Sequence, residues 1–161
     1  MEPRTLVVLI DGEPDDAALV GRAREYADTK DCSVTLVRVV PEVTRARIDG
    51  GAVILPWQVM QAMEADAQVE LEKLRARFLR GRVHPNTKLV RFGRVHEELA
   101  SLIDVENVLA VLARSRGISF LPWIKRDARL RRSLNVPVLF LDRDDRLIWP
   151  ARNYTFEVNS G

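Results

Sequence analysis

Short, unbroken apolar runs alternate along this chain with stretches in which apolar residues recur every three or four positions. Thr5-Leu6-Val7-Val8-Leu9-Ile10 is the first run, with the continuous apolar character of a parallel strand covered on both faces. Asp11-Gly12-Glu13-Pro14 then turns the chain. Pro14 suits the first position of a helix on which Leu19, Ala23, Tyr26 and Ala27 share one side. Val34 to Val40 is a second buried strand, stopped by Pro41. From Glu42 to Pro56 the periodicity fails and Gly50-Gly51 interrupts it, so a long loop is expected there.

Helical spacing returns with Met60, Met63, Ala67, Leu71, Leu74 and Phe78, which predicts a helix over 58–80 capped by Gly81. Thr87 to Phe92 reads as a third strand, Glu97 to Ile103 as a short helix and Val108 to Leu112 as a fourth strand. A basic helix over 120–134 and a closing strand over Val136-Pro137-Val138-Leu139-Phe140-Leu141 follow. Strands that alternate with helices need right-handed crossovers, so the pattern predicts an α/β fold: one domain, an open parallel sheet, helices on both faces. That domain spans residues 1–142, and 143–161 form a C-terminal extension with short strand character. Arg146 to Trp149 predicts a brief returning strand, and Tyr154, Phe156 and Val158 alternate with polar residues. Such a tail is expected to cover the edge of the last strand or to pair with a second subunit.

Composition narrows the function. A length of 161 residues with 47% apolar content suits a single domain with its own core. No apolar run approaches the roughly 20 residues that span a bilayer, and the first residues lack leader features, so a cytoplasmic location is expected. A net charge of +2 gives no footing for nucleic-acid binding by the whole domain. Cys32 is the only cysteine. It excludes an intramolecular disulfide or thiolate cluster and reads as a small buried side chain.

Candidate chemistry is sparse. No Ser-His-Asp set, catalytic carboxylate pair or lysine nucleophile stands out, and His84 and His96 lack metal-ligand spacing. Glu13, Asp15 and Asp16 are read as complementing the dipole of the first helix rather than holding magnesium. On the basic helix, Lys125, Arg126, Arg129 and Arg132 gather on one side, with Asp127 and Arg131 spaced to pair at its margin. That side is a solvated face or a docking surface for an acidic protein or polyanion. Trp57, Trp123 and Trp149 each adjoin a proline and are interface candidates.

Four segments carry a family resemblance over about residues 4–142: Leu6-Val7-Val8-Leu9-Ile10-Asp11-Gly12, Val34-Thr35-Leu36-Val37-Arg38-Val39-Val40-Pro41, Gly93-Arg94-Val95-His96-Glu97-Glu98-Leu99, and Val136-Pro137-Val138-Leu139. In this order and spacing they resemble the universal stress protein family. The resemblance implies an open five-stranded parallel sheet, often dimeric, with a mononucleotide at the carboxyl edge of the central strands. The same edge follows from the rule that open α/β sheets bind ligands where strand order reverses. By resemblance, Asp11 lies near adenine and ribose, and the strand at Val39 offers backbone contacts to the base.

The phosphate end departs from the pattern. ATP-binding members of the family carry Gly-x-x-Gly after the fourth strand and, nine residues on, Gly-Ser or Gly-Thr. Here Arg114-Ser115-Arg116-Gly117 keeps only the second glycine. Asp127-Ala128 stands nine residues further on, whereas alignment back from Pro137 places Ile124-Lys125 there. Without the glycines, backbone amides cannot approach a phosphate closely. The expected crevice is therefore lined by Asp11, Val39, Arg114, Ser115, Gly117 and Ser119, with the Ser119 hydroxyl on a remnant phosphate loop. The expected function is non-catalytic binding or signalling in stress adaptation, by a homodimer built around the last strand and tail, with no cofactor. Two alternatives stay open: ATP, AMP or a cyclic nucleotide held by arginines in place of glycine amides, or a nucleotide hydrolase or transferase.

Overall fold

A computed structural model describes residues 3–115 and 121–148, with Arg47, residues 121–126 and Ile148 described by their backbone alone. In chain order the elements are β1 (Thr5–Ile10), α1 (Asp16–Lys30), β2 (Ser33–Val40), β3 (Arg47–Asp49), β4 (Ala52–Ile54) and α2 (Pro56–Phe78). They continue with β5 (Asn86–Phe92), α3 (Val95–Val105), β6 (Val108–Arg114), α4 (Leu121–Ser133), β7 (Val138–Leu141) and β8 (Leu147–Ile148).

The main sheet has the order β5-β2-β1-β6-β7-β8. Its first five strands are parallel, as expected, and β8 is antiparallel to β7. Strand pleating sorts the apolar side chains into two cores. Leu6, Val8 and Ile10 of β1 pack with Leu19, Ala23 and Leu71 of α1 and α2, whereas Val7 and Leu9 pack with Leu99, Leu102 and Leu130 of α3 and α4. Strand order reverses between β1 and β6, which puts the ligand-binding switch point at their carboxyl ends.

Several boundaries differ from the sequence reading for local reasons. Helix α2 starts at Pro56, and the Gln58 side-chain oxygen accepts the Leu55 N–H at 2.9 Å, half of a capping box. Helix α1 starts at Asp16 rather than Pro14, because Glu13 to Asp15 stay in the turn. Part of the expected 42–56 loop is a β-hairpin. Arg47 pairs with Ile54, Ile48 with Val53 and Asp49 with Ala52 around Gly50 and Gly51. Both glycines have positive φ, 57° and 83°, the requirement of a type I′ turn that matches strand twist. Strands of three residues are too short to show a period, although Asp49-Gly50-Gly51 carried the signal.

The predicted returning strand is β8, whose Leu147 pairs with Leu141 and Ile148 with Phe140. The Asp142 carboxylate fixes this turn by accepting the N–H groups of Asp144 and Arg146, both at 2.9 Å. β8 thereby covers the outer edge of β7. The alternation over Tyr154–Asn159 lies outside the described residues. Cys32 is buried as expected, and burial pushes its thiol pKa up. Among the described residues no helix is long and apolar enough to cross a membrane.

Candidate functional site

The turn after β1 gathers three backbone N–H groups, from Asp11, Gly12 and Glu13, around one point. Such a concavity holds an anion, and here the anion is the chain's own. Asp16 Oδ2 accepts Gly12 N–H at 2.8 Å and Glu13 N–H at 2.9 Å, while Oδ1 accepts Asp11 N–H at 3.3 Å. Burial is the largest influence on this carboxyl and raises its pKa, against the pull of the three donors. The acidic start of α1 is thus more than a complement to the helix dipole. Gly12 is required by the turn: its φ is +81°, and a Cβ there would stand 2.6 Å from Arg38 Nη2.

Across the switch point, Arg114 ends β6 on the α1 side of the sheet and is only 4% exposed. Its Nη1 donates to the Asp142 carbonyl and to Asp145 Oδ1, both at 2.8 Å. Nη2 donates to the Asp15 carbonyl at 2.9 Å, and Nε faces Asp15 Oδ2 at 3.3 Å as an ion pair. The guanidinium therefore clamps the start of α1 to the β7–β8 turn.

Ser115 follows. Its N–H donates to the Leu141 carbonyl at 2.9 Å, prolonging the β6–β7 pairing, and its hydroxyl is 2.8 Å from Asp127 Oδ2. Asp127, expected to pair with Arg131, thus holds the Ser115 hydroxyl. Arg131 lays its guanidinium over the Phe140 ring, 4.8 Å from the centroid, because β7 presents that aromatic face beneath α4.

Asp11, Val39, Arg114 and Ser115 thus all stand at or just beyond the carboxyl ends of β1, β2 and β6. They do not share one face: Val39 belongs to the α3 and α4 side and Arg114 to the α1 side. Gly117 and Ser119 lie outside the described residues. On the basic helix, Arg129 and Arg132 are exposed. A cleft of about 300 Å³ opens between the β1–α1 turn and α2, lined by Gly12, Glu13, Pro14, Ala17, Glu70 and Lys73. Among the described residues no group of three or more His, Cys, Asp or Glu side chains could hold a metal ion.

The sequence reading missed the roles of Asp16 and Arg38. An acidic side chain in the first turn of a helix can reach back to the N–H groups ahead of it, as in a capping box, so Asp16 carried a signal. Arg38 carried none, since its approach to Gly12 depends on the β1–β2 register that pairs Ile10 with Arg38.

Comparison with known proteins agrees with this architecture. A sequence model described as the universal stress protein family matches residues 2–140. No curated protein sequence matches the chain significantly. A universal stress protein family structure from Burkholderia pseudomallei superposes with a TM-score of 0.61 at 19% identity, covering 84% of this chain and 93% of that one. The universal stress protein from Archaeoglobus fulgidus in complex with dAMP gives 0.54 at 19% identity, covering 87% and 98%. A universal stress protein in complex with cAMP gives 0.59 at 15% identity, covering 88% and 98%. At these identities the structures speak to the fold, and the sequence model to descent: the chain belongs to the universal stress protein family.

Proposed function

We propose that this universal stress protein acts without catalysis, as a binding or signalling component of stress adaptation, and does not hold ATP through the phosphate loop used by the family's ATP-binding members. The observation that carries the reading is that, among the described residues, the two side chains standing at the phosphate end, Arg114 and Ser115, are already engaged within the chain. Arg114, in place of the first glycine, is neutralised by Asp15 and Asp145. The Ser115 hydroxyl is taken by Asp127, the residue at the forward-counted position of the distal glycine. A triphosphate at Arg114 and Ser115 would meet a carboxylate and a guanidinium already paired, and like charges at close range repel.

A second reading is favoured by the structural neighbours in complex with dAMP and cAMP, ligands that carry one phosphate rather than three. A monophosphate nucleotide needs less of the cradle and could rest on Asp11 and Val39 at the base end. Mass spectrometry of small molecules released from the denatured, purified protein separates the two. The first reading predicts no nucleotide near stoichiometry, and stoichiometric AMP or cyclic nucleotide would replace it with the second.

A further inference from the structure

We propose that the β3–β4 hairpin is a self-association surface, in which β3 of one chain pairs antiparallel with β3 of a second copy about Ile48. Among the described residues the hairpin strands β3 and β4 pack chiefly on each other. Its central cross-strand pair lies in solvent, with Ile48 80% and Val53 62% exposed, and Leu55 and Trp57 at the start of α2 are exposed as well. A contiguous exposed apolar patch marks an interaction site.

Backbone geometry selects the edge. Asp49 and Ala52 flank the two-residue turn and form the hydrogen-bonded pair, so the next pair, Ile48 and Val53, turns its N–H and C=O groups outward. Ile48 therefore offers a donor and an acceptor on the free side of β3, ready to receive another strand. The outer edge of β7, by contrast, is taken by β8.

The sequence of β3 selects the occupant. Arg47-Ile48-Asp49 is self-complementary: a two-fold axis at Ile48 sets Ile48 against its own copy and Arg47 against Asp49, twice. An isologous contact needs this self-matching. On the other face, Val53, Ile48 and their copies form one row of apolar cross-strand neighbours. No foreign partner is needed to supply the matching charges.

Sedimentation equilibrium of the full chain tests the proposal. Wild type is expected to self-associate. Ile48→Lys and Asp49→Arg are each expected to weaken association by about tenfold or more, and the Arg47→Asp/Asp49→Arg double variant to recover most of the loss. A wild type monomeric up to its solubility limit, association unchanged in the single variants, or no recovery in the double variant overturns the proposal. A second arm is independent of charge. On oxidation, a mixture of Arg47→Cys and Asp49→Cys chains is expected to form a disulfide dimer that neither variant forms alone, since directly opposed residues fall within disulfide range and Cys32 is buried. Equal cross-linking in the separate variants, or none in the mixture, overturns it.

Discussion

Arg114 Nη1 and Asp145 Oδ1 meet at 2.8 Å although 31 residues separate them along the chain. Asp15 joins the same guanidinium from the start of α1, so one side chain at the switch point ties together β6, α1 and the β7–β8 turn. Removing the buried member of such a set leaves two carboxylates without their cation. Arg114→Gly, which restores the family's glycine, is expected to cost on the order of 2–4 kcal/mol, below the usual figure for a fully buried pair because both carboxylates remain partly exposed. Arg114→Lys keeps the charge but not the planar fork and should recover only part of the loss. Urea denaturation of the three proteins checks both statements.

Asp16 supports the β1–α1 turn through three backbone donors. Asp16→Ala is expected to destabilise by about 1–3 kcal/mol, and Asp16→Asn by less, since an amide oxygen can still accept the Gly12 and Glu13 N–H groups. The same carboxyl gives a signed pH dependence. Burial raises its native pKa above 3.8, so the native state holds the proton more tightly than the unfolded chain. Its contribution is full below the unfolded value and is lost as pH rises through the raised native one. The stability difference between wild type and Asp16→Asn should fall across that window; a difference independent of pH contradicts this account.

Ser115→Ala withdraws a hydroxyl from Asp127 in a half-buried setting, and is expected to cost about 1–2 kcal/mol. Thermal unfolding in parallel with Ser101→Ala, an exposed serine on α3, controls for loss of a hydroxyl alone. Equal effects would mean that the Ser115–Asp127 contact contributes nothing.

Cys32 should be silent toward aqueous thiol reagents in the native protein. It is 1% exposed, and burial raises its pKa, which depletes the reactive thiolate. Labelling with a maleimide should proceed only at the rate of unfolding and become fast in denaturant; rapid native labelling would contradict the burial.

Much of the fold was legible because buried parallel strands leave unbroken apolar runs. Leu6 to Ile10 and Val34 to Val40 could hardly serve elsewhere. The hairpin escaped because Ile48 and Val53 are exposed and three residues show no period. The candidate site was legible in its address, since switch points follow from strand order, and in its missing glycines. What the sequence could not carry was the destination of the side chains. Arg114 reads equally well as a phosphate ligand or as a clamp until Asp15 and Asp145 are seen around it, and Asp16 reads as one more acidic residue until three N–H groups converge on it.

At the phosphate end the described residues, Arg114 and Ser115, are engaged from within the chain, which leaves ATP without its usual hold. Calorimetric titration of the wild-type protein with magnesium ATP tests this most directly. No saturable heat is expected at ATP concentrations up to about 1 mM, the affinity that corresponds to roughly −4 kcal/mol. One-to-one binding in the micromolar range would contradict it.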